Sequence, residues 1–474
     1  MNILMIGSEA TPFAKTGGLA DVLGALPAAL AERGERVAVV LPAYRENRYP
    51  QPTREAYRGM WIPIGPGYTV DIQQTFVRVG ERGVDYYFVQ CPPLYDRDGI
   101  YGTTAGDFPD NHLRFAVLAM AALGVARHLF RPDILHMHDW QAALAPVYIR
   151  EHFRGDPTFI GVKALLTIHN LGYQGLFGPE VLPQIALPAT LLNPYQLEFF
   201  GRVNFLKAGI AGSDAISTVS KGYAREIQTP EYGFGLDGFL RRHGPVTGIV
   251  NGVDYNEWNP EHDPHLARNY SPGDLSGKHF CKQALLAEYG LPRDNPDRPL
   301  LAIISRFAAQ KGFDILADAA SRLLAEDLNL VILGSGDLPY ETMFRALAAS
   351  YPDKVGLRVG YDTGLSHRIE AGADMFLMPS RYEPCGLNQI YSLKYGTVPV
   401  VRATGGLDDT IEDGTGFKFR DYSGEALLEA VRQALRVFPT ASWTRMMRRG
   451  MEKDFSWSAS AGEYVELYRR LGAG

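Results

Sequence analysis

Short apolar runs bounded by glycine or polar residues alternate along the chain with longer amphipathic stretches, the pattern of a parallel sheet covered by helices. In the first half, Ile3 to Ile6, Val37 to Leu41, Tyr86 to Val89, Ile134 to Met137, Ala164 to Ile168 and Ala215 to Val219 read as buried strands. Gly18 to Arg33 reads as a helix, with Gly34 placed as its stop signal. The pattern restarts at Leu300 to Ile304 and continues through Leu330 to Leu333, Val355 to Val359, Met375 to Met378 and Val398 to Val401, with helical stretches such as Ile315 to Ala325 between them. Two doubly wound α/β domains are the economical reading. The stretch Arg241 to Asn269 is rich in Pro, Asn, His and Asp and has no long periodic run, which places the join there.

Composition narrows the function more than the fold. A length of 474 residues with 46% hydrophobic and 21% charged positions gives each domain enough apolar surface for a core. With 47 basic against 53 acidic residues the net charge is -6, so no long-range field draws the chain to nucleic acid or to an anionic membrane, and neither is expected as a partner. Three scattered cysteines, Cys91, Cys281 and Cys385, argue against a disulfide framework or structural zinc and suit a reducing cytoplasm. The opening Met1 to Gly7 has neither the basic start nor the apolar length of a signal peptide.

In open parallel sheets ligands sit beyond the carboxyl ends of the strands, so two such domains facing each other would form a cleft with a site built from both. The chemistry-bearing residues fall at such ends. Lys15-Thr16-Gly17-Gly18-Leu19 follows the first strand and sets two glycines at a helix start beside a cation, which suits an anion. Taken alone, such a loop is more often a glycine turn closing a βα unit. It is neither G-x-G-x-x-G nor G-x-x-x-x-G-K-[ST], so dehydrogenase and P-loop readings lose their main support. Arg306 and Lys311 follow the first strand of the second half, and two cations there suit a diphosphate, although a lone lysine on a loop is usually only solvated. Glu383, in Pro379 to Leu387, suits sugar hydroxyls or positive charge at an anomeric carbon, or equally a helix cap. Cys385 reads as packing, with no histidine near it in sequence to activate the thiol. Thr404-Gly405-Gly406-Leu407 is a second diglycine at a helix start and another candidate phosphate cradle. His136-Met137-His138-Asp139 and His169-Asn170 end strands with polar groups, but no further ligand at zinc spacing follows, and Asp96-Arg97-Asp98 is a triplet that chance often produces. No metal site is expected.

These residues resemble one family along nearly the whole chain. Lys15-Thr16-Gly17-Gly18-Leu19, His138-Asp139-Trp140, His169-Asn170-Leu171, Asn251-Gly252-Val253-Asp254, Ser305-Arg306 with Gln310-Lys311-Gly312, Glu383-Pro384-Cys385-Gly386-Leu387 and Thr404-Gly405-Gly406-Leu407 look like the bacterial glycogen synthases, in that family's order. The resemblance implies a GT-B fold of two Rossmann-like domains facing a deep cleft. Residues 1–247 would form the acceptor-side domain, completed by a terminal helix at 458–474, and 248–457 the donor side. It implies retaining transfer of glucose from ADP-glucose to the non-reducing 4-hydroxyl of an α-1,4-glucan, with no cofactor. Lys15, Arg306 and Lys311 would then contact the diphosphate, and Gly18, Thr404, Gly405 and Gly406 would supply loop contacts. His169, Asn251, Glu383 and Cys385 would hold the donor glucose, and Tyr361 would stack on adenine. Arg306, Lys311, Glu383 and His169 would be the catalytic set, with Glu9, Asp21, Tyr95 and Asp139 on the acceptor side. The alternatives are another GT-B glycosyltransferase with a different nucleotide sugar or acceptor, and a non-catalytic glucan-binding protein.

Overall fold

A computed structural model describes residues 1–103 and 106–472. The chain divides into two compact units, one of Met1–Val219, Ala224–Gly252 and Trp457–Gly474, the other of Ser220–Tyr223 and Val253–Ser456. The last helix runs Trp457–Arg470, and the final two residues of the 458–474 stretch lie outside the described ones.

The first unit is built on a nine-stranded sheet. Across it the strands run Val246–Gly248, Ala215–Thr218, Lys163–Ile168, Ile134–His138, Asn2–Ile6, Arg36–Pro42 and Arg82–Gln90, all parallel, then Tyr68–Val79 and Arg54–Ile62, both antiparallel to their neighbours. The central strands are apolar on both faces because helices cover both, which is why they read as continuous hydrophobic runs. Leu23, Leu26 and Leu30 put one stripe of the helix Gly18–Glu32 against Ile3, Met5 and Val39. The last helix adds Tyr464, Leu467 and Tyr468 to the same core. Each such side chain, fully buried, stabilises by roughly 1.5–3 kcal/mol. The antiparallel extension and the helix Asn111–His128 are absent from the sequence reading.

The second unit carries a six-stranded parallel sheet in the order Val355–Val359, Asn329–Gly336, Leu300–Phe307, Met375–Met378, Val398–Arg402 and Phe417–Phe419. Leu301, Ile303, Leu330, Ile332, Leu377 and Val400 meet Leu316, Leu323, Leu427 and Val431 of the covering helices. The strand that opens this unit does not stop at Ile304. It continues to Phe307, with Arg306 in register with Ser335, so Arg306 stands on an extended ladder and not in the loop where the sequence placed it. Among the described residues no helix is long and apolar enough to cross a membrane.

Candidate active site

In the second unit the strand ends bring one cation and one carboxylate together. Lys311 closes a short 3-10 turn, Ala309–Lys311, and its Nζ lies 2.6 Å from Glu383 Oε2. Ser380 Oγ donates to the same oxygen at 2.9 Å. Glu383 is buried, so the pair fixes the carboxylate instead of capping a helix. Gly312 makes the approach possible: its φ is +74, and a Cβ there would overlap the Pro379 carbonyl oxygen. Gln310 Nε2 donates to Tyr382 O, and Arg381 N to Gln310 O, so the two loops move as one piece. The Arg306 side chain is exposed on its strand, and Tyr361 stands just past Val355–Val359, 79% exposed. Both ends belong to the carboxyl edge of the same sheet.

The second diglycine does not cradle an anion through Gly406. Its amide donates to Glu383 O at 3.0 Å, and a Cβ on it would overlap the Cys385 carbonyl oxygen. Thr404, Gly405 and Gly406 are all buried. This turn therefore buttresses the Glu383–Cys385 segment, and the sequence expectation of a phosphate cradle is corrected for Gly406 by that occupied amide. Cys385 is buried and its carbonyl accepts from Gln389 Nε2 at 3.0 Å. Ser220 Oγ braces the same segment from the other side, donating to Pro384 O at 2.6 Å.

The loop Lys15 to Leu19 in the first unit is built differently. Glu9 is buried, and its carboxylate accepts the amides of Thr16 and Gly17, the Thr16 hydroxyl, and Tyr101 Oη at 2.9 Å. Burial raises the Glu9 pKa, and these donors pull the other way. The anion that Thr16 and Gly17 hold is thus the chain's own, which makes Glu9 a loop-positioning residue and not an exposed acceptor contact. A Cβ on Gly17 or Gly18 would meet nothing within 4 Å, so neither glycine is required by internal packing. Lys15 Nζ sits 2.6 Å from Asp21 Oδ1, a half-exposed pair whose worth is about 0–1 kcal/mol and which a diphosphate would readily displace.

Polar groups without charge gather where the neighbouring strands end. His138 Nδ1 lies 3.0 Å from His169 Nε2, and His136 reaches Tyr468 Oη at 2.8 Å and Thr167 Oγ1 at 2.6 Å. Burial lowers the pKa of His136 and His169 to about 3 and that of His138 well below its ordinary value, so all three are neutral near pH 7. Asp139 has a left-handed backbone, φ +57, and its carboxylate accepts the His169 amide at 2.7 Å. Burial raises its pKa to about 7 against the pull of the His169 and Asn170 amides. Asn251 is buried with an Oδ1 that has no hydrogen-bond partner among the described residues. A hydroxyl donating there would relieve a desolvation cost of about 1–3 kcal/mol.

One expectation fails outright. Tyr95 is fully buried and its hydroxyl donates to the Arg114 carbonyl at 2.6 Å, so it is a core residue with no face for an acceptor. Asp96 and Asp98 are held by Arg45, and among the described residues no His, Cys, Asp and Glu group has metal-site geometry. A depression of about 420 Å³ lined by Arg36, Arg54, Gln74, Asp85 and Tyr87 contains none of the expected residues. Arg36 opens its strand and Asp85 lies near the start of another, so the depression faces the opposite end of the sheet from the groups above. Sequence reasoning missed Tyr101 and the bracing Ser220, whose partners lie 92 and 164 positions away, and Ser380, which sits in the same motif as its partner Glu383.

Comparison with known proteins places this geometry. A family profile described as starch synthase catalytic domain matches residues 2–242, and one described as glycosyl transferases group 1 matches residues 292–440. The chain is 50% identical to a glycogen synthase of Koribacter versatilis, over 99% of this chain and 98% of that one. It is also 50% identical to a glycogen synthase of Myxococcus xanthus, over all of both chains. The catalytic domain of starch synthase IV from Arabidopsis thaliana, solved with ADP and acarbose, superposes with a TM-score of 0.88 at 32% identity, covering 100% of this chain and 99% of that one. Two α/β units with these motifs at their strand ends, matched over the full length, make the chain a member of the glycogen synthase family, GT-B glucosyltransferases of glycogen synthesis.

Proposed function

We propose that the chain transfers glucose from ADP-glucose to the non-reducing 4-hydroxyl of an α-1,4-glucan, with retention of anomeric configuration and without a metal ion. Residues 248–457 form the donor side; residues 1–247 with 458–474 form the acceptor side. The observation that carries the reading is the 2.6 Å Lys311–Glu383 pair with Arg306 on the adjoining strand end. The relative solved with ADP and acarbose supports both the nucleotide and the glucan.

Cleaving the bond from sugar to diphosphate builds negative charge on the leaving group and oxocarbenium-like positive charge on the sugar. Arg306 donates in bidentate fashion to the diphosphate. Lys311, with three donors, holds Glu383 and a phosphate oxygen together. Lys15 exchanges Asp21 for the same diphosphate, and Gly18 lets it approach the start of the first helix. Thr404 and Gly405 join the nucleotide side, and Tyr361 stacks on adenine. Glu383, Cys385, Asn251 and the neutral His169 bind the glucose: the Glu383 carboxylate faces the positive charge that builds on the sugar, and the uncharged groups hold its hydroxyls without adding a cation beside it. Asp21 and Asp139 serve the acceptor side. These preorganised cations do the work a divalent ion does elsewhere. Three buried cysteines with no disulfide among the described residues suit the reducing cytoplasm.

Initial rates with ADP-glucose and UDP-glucose, glycogen as acceptor and EDTA throughout, test the proposal. Clear preference for ADP-glucose, an α-linked product, and turnover lowered by about a hundredfold in Lys311→Ala are expected. Equal rates with the two donors, or activity restored only by a divalent ion, would overturn it.

A further inference from the structure

The transfer reaction makes no use of the depression at the far end of the first unit's sheet, yet its side chains are held in place. Arg54, Gln74 and Tyr87 are paired in one row across three neighbouring strands, so they share a face. Asp85, two residues before Tyr87, shares it as well. Ala38 is the partner of Asp85 on the next strand, which puts Arg36, two residues before Ala38, on that face too. Arg54 Nε donates to Gln74 Oε1 at 3.1 Å and Gln74 Nε2 to Asp85 Oδ1 at 2.6 Å, a relay that fixes these three side chains. The Arg36 guanidinium rests 4.7 Å above the Phe130 ring. Arg36, Arg54, Gln74, Asp85 and Tyr87 line one cavity of about 420 Å³, room for a small metabolite.

What these groups leave unspent says what would fill it. Among the described residues the Arg36 guanidinium makes no hydrogen bond or ion pair, and Arg54 uses only its Nε. Tyr87 is 4% exposed, and its hydroxyl has no hydrogen-bond partner among the described residues. Burial and Asp85 raise the Tyr87 pKa to about 12 against the pull of Arg36 and Arg54, so the hydroxyl is a neutral donor with both guanidinium groups near it. Glu55, on the rim, is turned to Arg58 at 2.8 Å. Two guanidinium groups and a phenol facing one space suit an anion, and three donor groups match the three free oxygens of a phosphate monoester better than the two of a carboxylate. Asp85 repels a phosphate and accepts from a hydroxyl, while the two arginines disfavour an ammonium beside it. The ligand therefore carries a hydroxyl close to its phosphate.

We propose that this cavity is a second ligand site, for the phosphate monoester of a small polyol: Arg36, Arg54 and Tyr87 hold the phosphate, and Asp85 accepts from a neighbouring hydroxyl. The strands Arg36–Pro42 and Arg82–Gln90 bring these groups together at or near their starts, whereas Lys15 and His169 follow strand ends. The site is thus separate from the donor groups of the same unit and does not rest on the donor assignment made above.

Calorimetric titration of glycerol 3-phosphate into the full chain tests it, with inorganic phosphate and glycerol as the other arms. Glycerol 3-phosphate is expected to bind about tenfold more tightly than inorganic phosphate, and glycerol not at all. Arg36→Met and Arg54→Met keep the apolar stems of exposed residues and should each weaken binding by about tenfold or more, and Tyr87→Phe by about fivefold, with turnover of ADP-glucose within about twofold of the unaltered chain. Lys311→Ala should leave the titration unchanged. Binding lost in Lys311→Ala but kept in the two arginine variants would put the phosphate in the donor site and overturn the proposal. So would the absence of saturable binding, or inorganic phosphate bound as tightly as glycerol 3-phosphate, which would leave an adventitious ion only.

Discussion

The tetrapeptide Thr-Gly-Gly-Leu occurs once in each unit, at residues 16–19 and 404–407, after a strand and at the start of a helix both times. The two copies are put to different uses. In the second unit the turn is buried, its Gly406 amide is spent on Glu383 O, and its missing Cβ is what lets the Cys385 backbone come close. In the first, Glu9 fixes the Thr16 and Gly17 amides, and a Cβ on Gly17 or Gly18 would meet no atom of the described residues within 4 Å. One glycine pair serves the protein's own packing, and the other is not required by it. The same local sequence thus serves as a buttress for the Glu383 segment in one place and as an open helix start in the other, and only the partners each turn meets decide which.

The comparison breaks most visibly at Gly406. Gly406→Ala forces a methyl into the Cys385 carbonyl, so urea unfolding should show a loss of about 1–3 kcal/mol, and turnover should fall with it because Glu383 moves. A stable Gly406→Ala enzyme would mean the buttress is not needed.

Much of the fold is legible in the amino-acid pattern because parallel strands covered on both faces are written as unbroken apolar runs, as in Leu300 to Ile304. What escapes is half-buried. Tyr68–Val79 passes through Gln73, Gln74 and Thr75, and its sheet is recognisable only from the partner strands on either side. Among the candidate site residues, Lys311 and Glu383 are legible as types at strand ends, but their pairing is not, since 72 positions separate them. Tyr95 is misplaced for a different reason: the resemblance alone put it on the acceptor side, and only the packing of Arg114 and the helix Asn111–His128 shows that it is buried. The family resemblance carries a residue's position, whereas an amide already engaged or a side chain already buried appears only in three dimensions.

A smaller effect separates the two turns by pH. Burial raises the folded pKa of Glu9 above its ordinary 4.5, so the folded chain holds the proton to higher pH than the unfolded chain does. The stability this contributes is complete below 4.5 and is lost as pH rises through the folded value. Glu9→Gln keeps an oxygen for the Thr16 and Gly17 amides and cannot ionise. Its stability relative to the unaltered chain should therefore improve between about pH 4 and about pH 8, in urea melts at each pH. A gap that stays constant with pH would show that the Glu9 charge is not desolvated by this loop, while Gly406→Ala should show no such trend.

The most direct measurement is made on Gly18→Ala, by thermal unfolding and by KM for ADP-glucose on the same preparation. Alanine is a better helix former than glycine and its Cβ meets no protein atom there, so the melting temperature should hold or rise slightly. The methyl would stand where the diphosphate approaches the helix start, so KM for ADP-glucose should rise by about tenfold. A variant with unchanged KM would reduce this loop to a plain turn, and one that loses stability instead would make the first Thr-Gly-Gly-Leu a packing element like the second, contradicting the distinction drawn between them.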